Sequence, residues 1–327
     1  MTRAAVSIIL PTYNRALVVG DAIRSALAQT HADFELIVVD DGSTDETAEV
    51  LRAVADPRMV TIRGVNRGAA AARNAALAVV QGELVSFLDS DDLWKPDKLA
   101  AEVRFLDTHP EVHAVFSDVE KIDGDHFVPS FVRASAVFSR LIAGRASPDG
   151  IALSQREMFL VLLEEVPVLP TAFTIRTSAF DVVGSFMESW RSFSDWEFLV
   201  RFARRFRFGY IDRPVAIVRI SSDSIHRVHA VFGRTAMLRL LHRERLRHAE
   251  DPEAAAAARR GIIRLRRHLG WSYARQGLWG RAAFVFLTGF IETGDAGLFL
   301  RALGALGPRG LREGARALLR RALPARA

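Results

Sequence analysis

Leu84-Val85-Ser86-Phe87-Leu88-Asp89-Ser90-Asp91-Asp92 is the stretch on which the reading of this chain turns. Its first five residues form a short apolar run, the pattern of a strand covered on both faces. Its last four residues carry three carboxylates and a hydroxyl. Carboxylates crowded in this way repel one another unless a cation sits among them. Hard divalent cations take carboxylate oxygens together with substrate phosphate oxygens, so the segment points to a metal holding a diphosphate at the end of a strand. The plainer reading is a turn that caps a following helix, with Asp92 near its N-terminus and Pro96 in its first turn.

Upstream, strands and helices alternate. Val6-Ser7-Ile8-Ile9-Leu10 is a strand stopped by Pro11. Residues 17–28 have helical spacing, with Ala22, Ile23, Ala26 and Leu27 on one face. Glu35-Leu36-Ile37-Val38-Val39 is a second strand ending in Asp40-Asp41-Gly42. Ser43-Thr44-Asp45-Glu46 reads as a capping box that opens a helix to about Ala53. Met59-Val60-Thr61-Ile62 is a third strand, residues 68–80 an alanine-rich helix, and Leu84 to Leu88 the fourth strand. This rhythm predicts an α/β fold, Rossmann-like, with a mostly parallel sheet and helices on both faces. Such sheets bind ligands at the carboxyl ends of their strands. Pro11-Thr12, Asp40-Asp41 and Asp89 to Asp92 all fall on that rim.

Downstream the pattern loosens. Asp123-Gly124-Asp125 reads as a hairpin turn, Gly144 to Gly150 as a loop, and Trp196 to Phe206 as a helix. Beyond Arg227 come helices rich in Ala, Leu and Arg, broken at Asp251-Pro252, Gly277, Gly294, Gly307-Pro308 and Pro324. His268 to Thr293 resembles one helix-turn-helix unit of a tetratricopeptide repeat, without a second copy. Two domains are expected: 1–225, and a helical region over 226–327.

Composition narrows the function classes. Half of the 327 residues are apolar, enough for a sizeable core. The absence of cysteine excludes disulfide frameworks, thiolate metal sites and cysteine nucleophiles. Met1 to Ala5 lacks the apolar region of a signal peptide, and Ala282 to Ile291 is too short to span a bilayer. A cytoplasmic protein is expected, peripheral on the inner face of the membrane. The net charge is +6, with arginines in excess from Arg234 onward, although part of that excess reflects GC-rich coding, since lysine occurs only at 95, 98 and 121. Basic tails meet anionic partners. No basic stripe interleaved with aromatics supports nucleic-acid binding. Arg301, Arg309, Arg312, Arg316, Arg320 and Arg321, interleaved with leucines, suit an anionic membrane surface. Residues 234–291 read as ordinary packing against the 1–225 domain, or as a homodimer contact, with their arginines on a wet face.

Five segments together resemble the family 2 glycosyltransferases of GT-A fold: Val6 to Asn14 (VSIILPTYN), Val38 to Thr44 (VVDDGST), Asn66 to Asn74 (NRGAAAARN), Gly82 to Pro96 (GELVSFLDSDDLWKP) and Ser194 to Arg201 (SDWEFLVR). The resemblance covers roughly residues 5 to 225 and matches in order and spacing. It implies an inverting transferase that uses a nucleotide-sugar donor, UDP-linked or similar, and a divalent metal, Mn²⁺ or Mg²⁺. The acceptor is a hydroxyl of a glycan or lipid-linked acceptor in bacterial surface polysaccharide synthesis.

Carried over by residue, Asp91 takes the metal and Asp89 the donor ribose, with Asp92 supplementing either. Pro11, Thr12 and Asp40 or Asp41 shape the base pocket. Arg73 contacts the nucleotide, and its plainer reading is a solvated helix face. Asp195 is the general base that takes the acceptor proton; its plainer reading is an N-cap.

Two positions depart from the family pattern. Ser194 replaces the frequent Glu, and Ser221 replaces the His of an Arg-x-His element whose Arg is Arg219. Arg219 is suited to the leaving diphosphate, and His226 is a stand-in for the missing His. His226 and His229 lack a third ligand and are not read as a metal site. Two other readings stay open: a donor-binding protein without turnover, which the two departures would suit, and a nucleotidyltransferase, whose Gly-rich phosphate loop is missing at Pro11 to Arg15.

Overall fold

The computed structural model describes residues 5–190, 192–220 and 230–307. The chain divides into two compact units, Met1–Arg227 and Val228–Ala327. Ser221, His226 and His229, the expected boundary at 225, and the arginines from 309 onward lie outside the described residues.

The first unit is built on one ten-stranded sheet. Its first half contains β1 (Val6–Thr12), β2 (Phe34–Asp40), β3 (Met59–Arg63) and β4 (Leu84–Phe87), in the order β3-β2-β1-β4 and all parallel. Helices α1 (Val19–Leu27), α2 (Thr47–Arg52) and α3 (Ala69–Leu77) are the crossovers. Every residue of β1 and β4 is buried, because helices cover both faces of a parallel sheet.

The second half is mixed. β6 (Val112–Asp123) and β10 (Arg207–Ile220) pair in parallel. β9 (Phe173–Arg176) runs antiparallel between β4 and β6. β5 (Leu93–Trp94) and β8 (Ile151–Leu153) pair with β10, and β7 (His126–Val128) pairs with β6 across the Gly124 turn, where φ is +59°. Helices α4 (Lys98–Thr108), α5 (Ala136–Ile142), α6 (Gln155–Glu164), α7 (Ala179–Val183) and α8 (Ser194–Ala203) complete this unit.

An aromatic column joins the sheet to α8. Phe87 stacks on Phe173 (6.3 Å between centroids), Phe173 meets Phe202 edge-on (6.4 Å), and Phe202 meets Phe208 (4.9 Å). Such buried rings contribute large apolar area with fixed relative geometry. They lock the helix that carries Asp195 onto the strands that carry the acidic segment.

Local starts and stops differ from the sequence reading in three places. Helix α1 begins at Val19, leaving Leu17 exposed. The Ser43–Glu46 capping box does not form. Ser43 Oγ instead accepts the Asn14 N–H (2.9 Å), and Asp45 accepts N–H groups from Ala16 (3.1 Å) and Thr47 (3.0 Å). Asp92 caps no helix, because β5 follows it and α4 starts only at Lys98.

The second unit, among the described residues, is helical: α9 (Ala230–Arg247), α10 (Pro252–Arg275), α11 (Trp279–Thr293) and α12 (Ala296–Leu306). Asp251 caps α10 by accepting the Ala254 N–H (3.1 Å), with Pro252 in the first position. Gly270 lets the Phe286 ring approach so closely that a Cβ there would lie 2.2 Å from it. Gly294 ends α11 in the left-handed conformation, φ +69°, and Arg245 donates to the Glu292 carbonyl (3.0 Å). No described helix is long and apolar enough to cross a membrane.

Candidate donor and acceptor site

The pairing of β1 with β2 sets Thr12 directly beside Asp40, with Pro11 opposite Val39. Both polar side chains are buried. Asp40 Oδ1 accepts the Ser43 N–H (2.8 Å), whereas its Oδ2 has no hydrogen-bond partner and only Arg63 Nε at 3.7 Å. Thr12 Oγ1 also lacks a partner among the described residues. Asp41 is already engaged: its oxygens accept the N–H groups of Arg67 (3.0 and 3.2 Å) and Gly68 (2.7 Å), closing the turn into α3. Of the two aspartates, Asp40 is the one with an acceptor left for a ligand.

Arg73 is not on a solvated helix face. Its side chain is 7% exposed and crosses from α3 to Asp89, Nη2 to Oδ1 at 2.7 Å. The guanidinium lies over Phe186 (5.7 Å to the centroid), and its Nε is buried without a partner. Asp89 is 34% exposed, so one side of this pair is open to a ligand.

The other acidic residues separate into two roles. Asp92 is turned inward, where its Oδ1 accepts the Arg219 N–H (3.1 Å). Burial first, then the charges of Asp89 and Asp91, push its carboxyl far above the ordinary range. Asp91 is raised by burial first and then by Asp89, while the guanidinium groups of Arg15 and Arg219 pull it back down. Arg219 Nε donates to the Asp91 carbonyl, its Nη1 lies 3.5 Å from Asp21, and its Nη2 is buried without a partner among the described residues. Arginine is thus drawn to both sides of the acidic turn. Arg15 follows Asn14, whose φ is +50° and whose Oδ1 accepts the Thr44 N–H (2.8 Å). This wired loop brings Arg15 into the field of Asp91, a role absent from the sequence reading.

Asp195 is the second residue of α8 and not its cap; that position falls to Phe193, a non-glycine at φ +61°. Among the described residues the half-buried Asp195 carboxylate has no hydrogen-bond or ion-pair partner. The rest of its motif is structural. Trp196 Nε1 donates to the Leu162 carbonyl (2.7 Å), and Arg201 pairs with Glu197 (2.8 Å) while donating to the Ser185 carbonyl (2.8 Å). The side-chain amide of Asn74 meets Phe186 through both backbone groups, donating to its carbonyl (2.9 Å) and accepting its N–H (3.0 Å). This contact, between residues 112 apart, ties the segment before α8 to helix α3 in the first half of the sheet.

Among the described residues no three acidic or histidine side chains form a metal cage. The donor set still fits a divalent cation that keeps waters and takes phosphate oxygens, since one or two carboxylates suffice for such ions. Burial first and then Asp89 raise the Asp91 carboxyl, and a bound cation would favour its charged form.

Solved structures share this fold. The chain aligns with S. aureus TarS residues 1–349 in complex with UDP at TM-score 0.61 and 20% identity, covering 98% of this chain and 93% of that one. It aligns with the mannosyltransferase PcManGT from Pyrobaculum calidifontis in complex with GDP-Man and Mn²⁺ at TM-score 0.56 and 21% identity, over 97% and 85%. The first unit therefore has the GT-A fold. Residues 7–160 match Glycosyl transferase family 2, and the chain carries a domain of that family. A relative from Escherichia coli named UDP-Glc:alpha-D-GlcNAc-diphosphoundecaprenol beta-1,3-glucosyltransferase WfaP is 39% identical over 104 residues, 32% of this chain and 41% of the relative. The chain spans about a third to two-fifths of the length of the curated relatives it matches.

Proposed function

We propose that this protein is an inverting glycosyltransferase that moves a sugar from a UDP-sugar to a hydroxyl of a lipid-linked glycan. One observation carries the reading: among the described residues, Thr12 Oγ1 and Asp40 Oδ2 at the ends of β1 and β2, Arg73 Nε on α3 beside Asp89, and Arg219 Nη2 near the end of β10 are all buried without hydrogen-bond partners. Buried polar atoms are nearly always satisfied, so such a group implies a ligand. Thr12 and Asp40 offer a hydroxyl and an acceptor to a base edge. Arg73 and Asp89 form a charged pair beside the ribose. Asp91 holds the divalent cation, which supplies stabilisation of the charge that builds on the leaving diphosphate. Arg219 and Arg15 add fixed positive charge at the same place. Asp195, without a hydrogen-bond or ion-pair partner among the described residues, accepts the proton of the attacking hydroxyl. Asp41, both of whose oxygens accept backbone N–H groups, closes the turn into α3, and Asp92 supports Asp91 from its buried position, where one of its oxygens accepts the Arg219 N–H.

The donor class is supported by the UDP complex of TarS, and the acceptor class by the diphosphoundecaprenol in the name of the E. coli relative. The test is donor binding and hydrolysis across a nucleotide-sugar panel, with and without Mn²⁺, for wild type, Asp91→Ala and Asp195→Asn. One donor should bind with metal, Asp91→Ala should abolish that binding, and Asp195→Asn should bind without turnover. Binding without turnover in the wild type, even with glycan acceptors, would make this a donor-binding protein. No binding of any nucleotide sugar would refute the reading.

A further inference from the structure

Helices α11 and α12 are apolar on the side that faces solvent as well as on the side that is packed. The inner side of α11 buries Ala282, Ala283, Phe286 and Gly289; that of α12 buries Leu298, Ala302 and Ala305. The outer side of α11 shows Phe284, Leu287 and Ile291, spaced three and four apart and exposed by 66, 39 and 74%. The outer side of α12 shows Leu300, Leu303 and Leu306, exposed by 66, 50 and 52%. The helices adjoin through Phe290 and Phe299, whose rings lie 5.0 Å apart. Surface helices ordinarily carry their charges on the outer face. Here α11 has only Arg281 and Glu292, and α12 only Arg301. Glu292 is tied back to Arg266 (3.1 Å) and Arg301 to the Gly297 carbonyl (3.2 Å), so neither interrupts the stripes. Contiguous apolar exposure of this kind marks an interaction surface.

The charge around the face selects the partner. Arg281 is exposed at the start of the α11 stripe. Immediately beyond α12 the sequence runs through Arg309, Arg312, Arg316, Arg320, Arg321 and Arg326 with Glu313 as the one acid. Those residues give the sequence beyond α12 a net positive charge, which favours an anionic partner over a second copy of the same chain. An anionic bilayer accepts apolar side chains to the depth of the acyl boundary and attracts arginine, the two signals that lasting peripheral attachment needs. We infer that the outer face of α11 and α12 docks on an anionic phospholipid surface.

The test uses the full chain and vesicles of phosphatidylcholine, alone or with phosphatidylglycerol. Wild type should co-sediment with the anionic vesicles, about tenfold or more above its binding to neutral ones, and lose most of that binding in about 0.5 M NaCl. The triple variant Phe284→Ser, Leu300→Ser, Leu303→Ser should lose binding about tenfold or more. Its helix content by circular dichroism and its donor affinity should stay at wild-type values, which separates lost docking from lost folding. Wild type that ignores both vesicles, or a folded triple variant that binds as well as wild type, overturns the inference. So does a wild-type dimer in sedimentation velocity that the triple variant converts to monomer without any change in lipid binding, since the face then belongs to a second copy.

Discussion

Arg73 on α3 is buried against Asp89 at the end of β4, 2.7 Å from Nη2 to Oδ1, while its Nε points to no partner. The pair holds Asp89 in one orientation and keeps a donor in reserve beside it. Arg73→Lys retains the charge but not the forked geometry. UDP affinity, measured by calorimetry, should fall about tenfold or more, the scale of one lost charge-assisted hydrogen bond. Unchanged affinity in a folded Arg73→Lys protein would remove Arg73 from the donor site.

Among the described residues Asp195 has no hydrogen-bond or ion-pair partner, so its substitution separates chemistry from stability. Asp195→Asn should lower kcat about 10²- to 10⁴-fold. The urea midpoint should move by less than about 0.5 kcal/mol equivalent, as for surface substitutions. A variant that unfolds early would show that the residue is a structural cap after all.

Lys98 and Glu102 are both fully buried, 2.7 Å apart. Lys98 also donates to Thr174 (2.9 Å), and Ser117 donates to Glu102 (2.8 Å). Burial lowers the Lys98 pKa, with Glu102 opposing the shift. Removing one partner strands a charge in the core. Glu102→Ala should therefore cost about 3–5 kcal/mol in denaturant unfolding. Lys98→Met with Glu102→Leu should recover part of that loss, since an apolar pair leaves no buried charge.

Asp212 gives a pH signature. Its hydrogen bonds from Arg133 (Nε at 3.0 Å) hold its carboxyl below the ordinary range, opposed by burial and aided by the Tyr210 hydroxyl (2.9 Å). A carboxyl with a depressed folded-state pKa contributes stability above its unfolded value of about 3.9 and loses it as pH falls through the folded value. Stability measured from pH 6 down to about 2.5 should therefore decline less steeply in Arg133→Ala than in wild type at the acid end. Parallel curves would show that the pair carries no linkage.

The strand-by-strand rhythm up to Leu88 was legible because parallel strands covered on both faces must be apolar throughout, as β1 is. The strand-end residues were legible because Thr12, Asp40, Asp89 and Asp91 sit at fixed offsets from those strands. What stayed hidden depends on partners far away in sequence. Nothing near Asp92 indicates that it accepts the Arg219 N–H from 127 residues on, or that Asp41 is used by the turn before α3. The capping box failed for the same reason, since Ser43 is claimed by Asn14. The buried Lys98 carried one faint signal: it is among only three lysines in an arginine-rich chain. Residues 234–291 read as packing against the catalytic domain or a dimer contact; among the described residues α11 buries Ala282, Ala283 and Phe286 and exposes Phe284 and Ile291, a division that periodicity alone does not register.

The amide of Asn74 grips Phe186 as a strand would, one rung long, and Arg201 holds the Ser185 carbonyl from the other side. Between that grip and the left-handed Phe193, the chain is anchored at both ends, on opposite sides of a short exchangeable stretch. A segment held in this way is a natural graft site. Met187, Ser189 and Trp190 can be exchanged with the first four strands and the helix bearing Asp195 left in place, provided that Glu188 is kept, because it pairs with Arg67 and accepts from the Asn74 amide (3.2 Å).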